Sequence, residues 1–166
     1  NITSSGIGRY TDGELFRLIT AGVTKEGRAM FPLMPYPYYG RMDKEDIYSI
    51  IAYVRSIPKI ENNVPESEPD FPMNFIINAI PQKPVHQSKP EKSDLLAYGA
   101  YMTNAAGCAE CHTQVGKGQV IPELMFGGGR DFRYPDGSVV MSSNITPDKD
   151  SGIGAWTEEM FIQRFK

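Results

Sequence analysis

Cys108-Ala109-Glu110-Cys111-His112 constrains this 166-residue chain more than any other run in it. Two cysteines separated by two residues and followed at once by a histidine form the pattern of a covalent attachment site for a c-type haem. The chemistry needs that spacing. Two thiols must reach two vinyl groups on one edge of a porphyrin, and two intervening residues present both from a single helical turn. The next side chain then lies under the ring, where its imidazole can bind iron as the proximal ligand. Cys108 and Cys111 are the only cysteines, so the whole thiol inventory sits in this motif.

Other uses of paired cysteines fit poorly. A structural zinc site wants four closing ligands, and outside the motif the only histidine is His86, in a proline-rich stretch. A thioredoxin-like pair needs a βαβ setting, whereas helical patterns and loops flank this one. A disulfide between cysteines three apart would be strained. The 16 Gly and 13 Pro imply a loop-rich chain ordered partly by a large apolar cofactor. A formal charge of −3 argues against a nucleic-acid partner and permits docking to a basic redox partner. No apolar run approaches the roughly 18 residues of a membrane span. No signal peptide is visible. Because haem is attached to c-type cytochromes outside the bacterial cytoplasm, the secretion signal is expected to have been cleaved or to lie upstream of residue 1.

A long-period repeat runs through the chain. Asn1-Ile2-Thr3, Gly6-Ile7-Gly8 and Tyr10-Thr11 recur as Asn144-Ile145-Thr146, Gly152-Ile153-Gly154 and Trp156-Thr157. The offset is 143 at the Asn and 146 at the Gly, so the second copy holds extra loop residues. Recurrence in register marks a structural loop rather than two glycosylation acceptors. In each copy the Thr is a natural N-cap, and Tyr10 with Leu15 and Trp156 with Phe161 are candidate hydrophobic staples. Thr11 and Glu14 add a capping box that the second copy, with Met160, lacks. Projected back by the repeat, Cys108 falls before residue 1; projected forward, Met34 falls past Lys166. The expected organisation is therefore the C-terminal half of a first unit (1–57), a Pro-rich linker (58–92) and the N-terminal half of a second unit with the haem motif (93–166).

Local signals predict a helix from Thr11 to about Thr20 with Gly22 near its end, and a helix from Asp43 closed by Pro58. The second of these carries Ile47, Ile50, Ile51, Val54 and Ile57 on one face. Seven of the thirteen prolines lie in 58–92, where 71–80 is the one apolar stretch, read as a short helix packed on the first unit. Asp94 opens a helix to about Ala105, and Asp136-Gly137 signals a hairpin. The run Gly127-Gly128-Gly129 follows no clear strand, so it is read as a loop near the haem and not a phosphate cradle.

Taken together, several motifs resemble one family. They are Cys-x-x-Cys-His after a Gly-x-Tyr-Met helix, the Gly-Gly-Arg loop, Ser-Ser-Asn-Ile-Thr-Pro-Asp, Gly-Ile-Gly-x-Trp-Thr-Glu-Glu and Met-Pro-Tyr. They look like the bacterial di-haem cytochromes c, which are similar in turn to the cytochrome subunits of membrane-bound alcohol and gluconate dehydrogenases. The resemblance implies a mainly α fold, with small class I cytochrome c helical domains, long loops and a small β-hairpin. It implies one haem c per domain held by His and Met, and electron transfer in the periplasm or at the outer face of the inner membrane. Its partners would be redox proteins on the dehydrogenase or terminal oxidase side. This chain carries one haem motif where the family has two.

The distal ligand is less constrained than the proximal one. Among eight Met, Met34 is closely bracketed by prolines, which stiffen the loop, and it matches the family's Met-Pro-Tyr ligand loop. Met125 and Met141 are nearer the motif in sequence but lie in a loop and a hairpin; His86 is read as a solvated linker residue. Arg130 is a candidate partner for a haem propionate. Asn144 and Trp156 are candidate propionate donors, and the Pro122 carbonyl is a candidate acceptor for the free ring nitrogen of His112. The Asp94 helix is expected to pack on the Asp43 helix through Gly99 and Tyr53, within one chain or by half-unit exchange between chains. Such complementation would carry Met34 to the haem held by His112. The expected function is an electron carrier with no substrate of its own. The alternative is a haem enzyme or gas-binding sensor with an open iron site.

Overall fold

The capping box at Thr11 forms in the computed structural model, which describes residues 1–31, 33–116 and 119–166. The Thr11 hydroxyl accepts the Glu14 N–H at 3.3 Å, and the Glu14 carboxylate accepts the Thr11 N–H at 2.8 Å. That N–H holds the Glu14 carboxyl below its usual range. After the short α1 (Ser4–Ile7), this box starts α2 (Asp12–Ala21), which ends at Gly22 in the left-handed conformation. Any side chain at Gly22 would meet the buried Tyr36 ring, so glycine is required by contact as well as by φ.

The first unit, Asn1–Ala105, continues with α3 (Tyr36–Tyr39), α4 (Lys44–Ser56), α5 (Met73–Ile76), a tight helical turn (Ile77–Ala79) and α6 (Leu95–Ala105). Asp43 caps α4 by accepting the Glu45 N–H at 2.9 Å. Of the expected apolar face of α4, Ile47 and Ile51 are buried, while Ile50 is 38% exposed and lines a cleft. The core joins these two isoleucines to Tyr10, Leu15, Met42 and Tyr101, so the staple pair of α2 is part of it. Full burial of each isoleucine side chain contributes about 1.5–3 kcal/mol. Arg55 ties the end of α4 to the start of α2, pairing with Asp12 at 2.7 Å and donating to the Tyr10 carbonyl at 2.8 Å.

Helix α6 packs mainly on α3 and touches α4 through Tyr101, not through Gly99 and Tyr53. Gly99 has open space around it and Tyr53 is 71% exposed. Tyr101 makes the contact: its hydroxyl donates to Asp46 Oδ2 at 2.6 Å and accepts the Asp43 N–H at 3.0 Å. The contact forms within one chain, so exchange between chains is not required for it. Compactness groups α6 and the Pro-rich segment with residues 1–57. The segment is strapped down by the Asn1 side chain on the Ile60 carbonyl, by Lys89 on Asp43 and by the buried Ile77. His86 is not a solvated linker residue. Its Nδ1 lies 2.8 Å from the Met42 carbonyl and its ring packs on Phe16.

The second unit, Ala106–Lys166, contains α7 (Cys108–His112), the strand pair β1 (Val115–Gly116) and β2 (Gln119–Val120), the hairpin β3 (Asp131–Arg133) and β4 (Val139–Met141), and α8 (Glu158–Gln163). The hairpin pairs Phe132 with Val140 and turns at Asp136-Gly137, as that dipeptide predicts. Thr157 caps α8 through the Met160 N–H, without a reciprocal carboxylate. Among the described residues the fold is helices and loops with two small antiparallel strand pairs. Among the described residues, no helix is long and apolar enough to cross a membrane.

Candidate haem site

Helix α7 puts Cys108, Cys111 and His112 at positions i, i+3 and i+4, one helical face. Ala109 and Thr113, on the neighbouring face, are buried at 6% and 0% exposure and anchor the turn. Both cysteines are free thiols, Cys108 half-buried and Cys111 exposed. Among the described residues, no three His, Cys, Asp or Glu side chains are placed to hold one metal ion between them.

The loop after the motif grips His112 at both ends. The Gly128 N–H donates to the His112 carbonyl at 2.8 Å, which places the glycine run beside the motif. The imidazole Nδ1 lies 2.8 Å from the Ser143 carbonyl. A proton on Nδ1 satisfies that contact and leaves Nε2 with its lone pair for a metal. Ser143 therefore takes the role expected of Pro122, whose carbonyl instead accepts the Met125 N–H. Phe126 stands at φ 62°, rare for a residue with a Cβ. Its N–H donates to the Thr113 hydroxyl and its carbonyl accepts the Ile145 N–H, and these bonds hold the loop in place.

His112 opens on a cleft of about 580 Å³, walled by Ile145, Ile153, Trp156, Phe161 and Phe165 and rimmed by Asn144 and Arg164. That volume lies within the roughly 300–1,000 Å³ typical of cofactor sites. A mostly apolar cleft lined by one imidazole, whose helical turn also carries two free thiols, fits a haem in both size and donor chemistry.

Asn144 and Trp156 both line the cleft. Asn144 also shapes the loop, accepting the Thr146 N–H at 2.8 Å and donating to Ser151 at 2.9 Å. Arg130 is not at the cleft. It bonds the Glu110 carbonyl and lies 3.3 Å from the Glu110 carboxylate, so it braces the motif's own middle residue. Arg164, whose guanidinium lies 5.2 Å from the Trp156 ring, is the cation that does line the cleft. Met125 takes a hydrogen bond from Thr113, and Met141 sits on the exposed hairpin; neither lines the cleft.

Met34 lines a separate cleft of about 390 Å³ in the first unit, with Leu15, Leu18, Ile19, Ile51 and Val54 among its walls. The two clefts correspond through the sequence repeat. Ile2 matches Ile145 at offset 143; Ile7, Leu15, Leu18 and Ile19 match Ile153, Phe161, Arg164 and Phe165 at offset 146. The repeat is also structural at its turn. Asn1 accepts the Thr3 N–H as Asn144 accepts that of Thr146, and a Cβ at Gly6 or Gly152 would strike the backbone of that turn.

Comparison with known proteins agrees with this geometry. The cytochrome c subunit of a quinone alcohol dehydrogenase from Gluconacetobacter polyoxogenes is 30% identical over 93% of the chain, and that from Gluconobacter oxydans is 27% identical over 97%. The chain is a homologue of dehydrogenase cytochrome c subunits. A di-haem cytochrome c-type protein of Cereibacter sphaeroides is 25% identical over 90% of this homologue. No family model matches. The chain spans 35–36% of the length of the alcohol dehydrogenase subunits and 58% of the di-haem protein.

Proposed function

We propose that this dehydrogenase cytochrome c homologue is an electron-transfer segment of a c-type cytochrome, with covalent haem c at Cys108 and Cys111 and His112 as proximal ligand. Each thiol adds S–H across one porphyrin vinyl group, giving a thioether with no net oxidation or reduction. When bound, the haem supplies a one-electron couple. The chain's own residues orient and tune it. Ser143 fixes the imidazole tautomer and raises its basicity. The apolar walls exclude water, and the grip of Gly128 and Ser143 holds the ligand still between oxidation states. Such a module has no substrate of its own.

The organisation that fits the repeat is the C-terminal half of one class I unit (1–57), a linker (58–92) and the N-terminal half of the next (93–166). Met34, held by its stiff loop in the first cleft, is the sulfur ligand of that reading. On that reading the first cleft, which shares the repeat register of the second, holds a second haem whose attachment motif is not among these residues. The protein acts in the periplasm or at the outer face of the inner membrane. It passes electrons from a dehydrogenase partner towards an oxidase-side partner.

The observation that carries the reading is an oriented imidazole lining a haem-sized apolar cleft, on the same helical turn as two free thiols. Acid-acetone extraction of protein produced with a haem-maturation system tests it. Colour that stays with the polypeptide supports covalent attachment; colour that leaves as free porphyrin refutes it.

A further inference from the structure

We infer that Arg164 is the cationic contact for a haem carboxylate in the second cleft and makes that haem easier to reduce. The inference rests on the haem reading of the His112 cleft. The repeat supplies the first observation. Arg164 occupies the register of Leu18, and each lines its own cleft beside three further partners at the same offset. Ile7, Leu15 and Ile19 are replaced by apolar Ile153, Phe161 and Phe165, so the exchange of Leu for Arg is the one change of charge among them.

The second observation is where the guanidinium stands. It lies 5.2 Å from the Trp156 ring, whose face attracts and orients a cation. Among the described residues, no carboxylate pairs with it and its side chain donates no hydrogen bond, whereas Arg130 and Arg133 are committed to Glu110 and Asp131. A planar fork of five donors held at a mostly apolar cleft matches the carboxylates at one edge of a haem. Reduction adds an electron to the haem, so a nearby cation favours the reduced form. By neutralising a propionate it also removes an anion that favours the oxidised one. Both effects have the same sign.

The test uses the haem-loaded chain, with attachment checked first by the haemochrome spectrum. If no covalent haem forms in the unaltered chain, the underlying reading fails, and the role of Arg164 with it. With haem attached, spectroelectrochemical titration compares the unaltered protein with Arg164→Leu, Arg164→Lys and, as a surface control, Arg133→Leu. Arg164→Leu is expected to shift the electron-exchange equilibrium about tenfold towards the oxidised form, a midpoint lower by about 59 mV for one electron. Arg164→Lys, which keeps the charge, and Arg133→Leu are expected to stay near the unaltered value. An unchanged midpoint in Arg164→Leu, an equal drop in Arg164→Lys, or an equal drop in the control overturns the inference.

Discussion

Replacing Tyr101 by Phe removes one oxygen from the contact that seats α6 on α4 and leaves the ring in the core. The lost hydroxyl donates to Asp46 at 2.6 Å and accepts from the Asp43 N–H at 3.0 Å, and Tyr101 is 8% exposed. A hydrogen bond to a charged group contributes roughly 1.5–3 kcal/mol, and no cavity forms to add to it. Titration of the same group sets the alkaline pH dependence. Burial, with the hydrogen bond to Asp46 behind it, pushes the Tyr101 hydroxyl up from 10.0 to about 12. A rise of about two units corresponds to about 3 kcal/mol favouring the protonated phenol in the folded state. Because the folded value is the higher one, this stability is fully present below pH 10 and is lost as pH climbs from 10 towards 12. Urea unfolding followed by far-ultraviolet circular dichroism should show Tyr101→Phe less stable by about 2 kcal/mol at pH 7, with its alkaline loss of stability flattened. Asp46→Asn in the Tyr101→Phe background should cost less than it does alone. A Tyr101→Phe variant within about 0.5 kcal/mol of the parent, with an unchanged alkaline limb, would refute the argument.

Thr11→Ala removes the acceptor for the Glu14 N–H and should lower thermal stability by about 1 kcal/mol, as seen in a melting curve. Tyr36→Phe runs the other way. The Tyr36 hydroxyl is buried without a partner among the described residues, so its removal should be neutral or stabilising by up to about 1 kcal/mol in the same melt. Asp46 should titrate below its usual range: burial pushes it up, but the hydrogen bonds from Lys89 and Tyr101 outweigh that. Its share of stability is therefore present above about pH 4 and lost as pH falls below it, which an acid unfolding series on Asp46→Asn can read.

Local devices were legible in the sequence because their partners are neighbours. The capping box at Thr11 and Glu14, the cap at Asp43 and the turn at Asp136-Gly137 each complete themselves within a few residues. The helical turn of the Cys-x-x-Cys-His run was legible for the same reason, since five consecutive residues make it. Contacts across long separations were not. Ser143 reaches His112 across 31 residues, and nothing in its identity marks a backbone carbonyl as an acceptor. Arg130 follows the glycine run and its fork suits a carboxylate, but the carboxylate it meets in the fold is that of Glu110, 20 residues back in the chain. His86 stands in a proline-rich stretch that reads as solvated, yet the chain folds back far enough for Met42 and Phe16 to enclose it. Tyr101 outdid Gly99 because a buried phenol with two polar partners makes a more specific contact than an open glycine. Arg164 had a signal that went unused: the repeat, carried a few residues further, sets it against Leu18.

The central claim is that Cys108 and Cys111 hold haem covalently. Tandem mass spectrometry of the proteolytic fragment spanning 106–113, from protein made with haem maturation, tests it most directly. The account predicts one fragment carrying a single haem mass with both cysteines modified, and no haem-bearing fragment in Cys108→Ala/Cys111→Ala. A fragment with both thiols free or joined as a disulfide would contradict it.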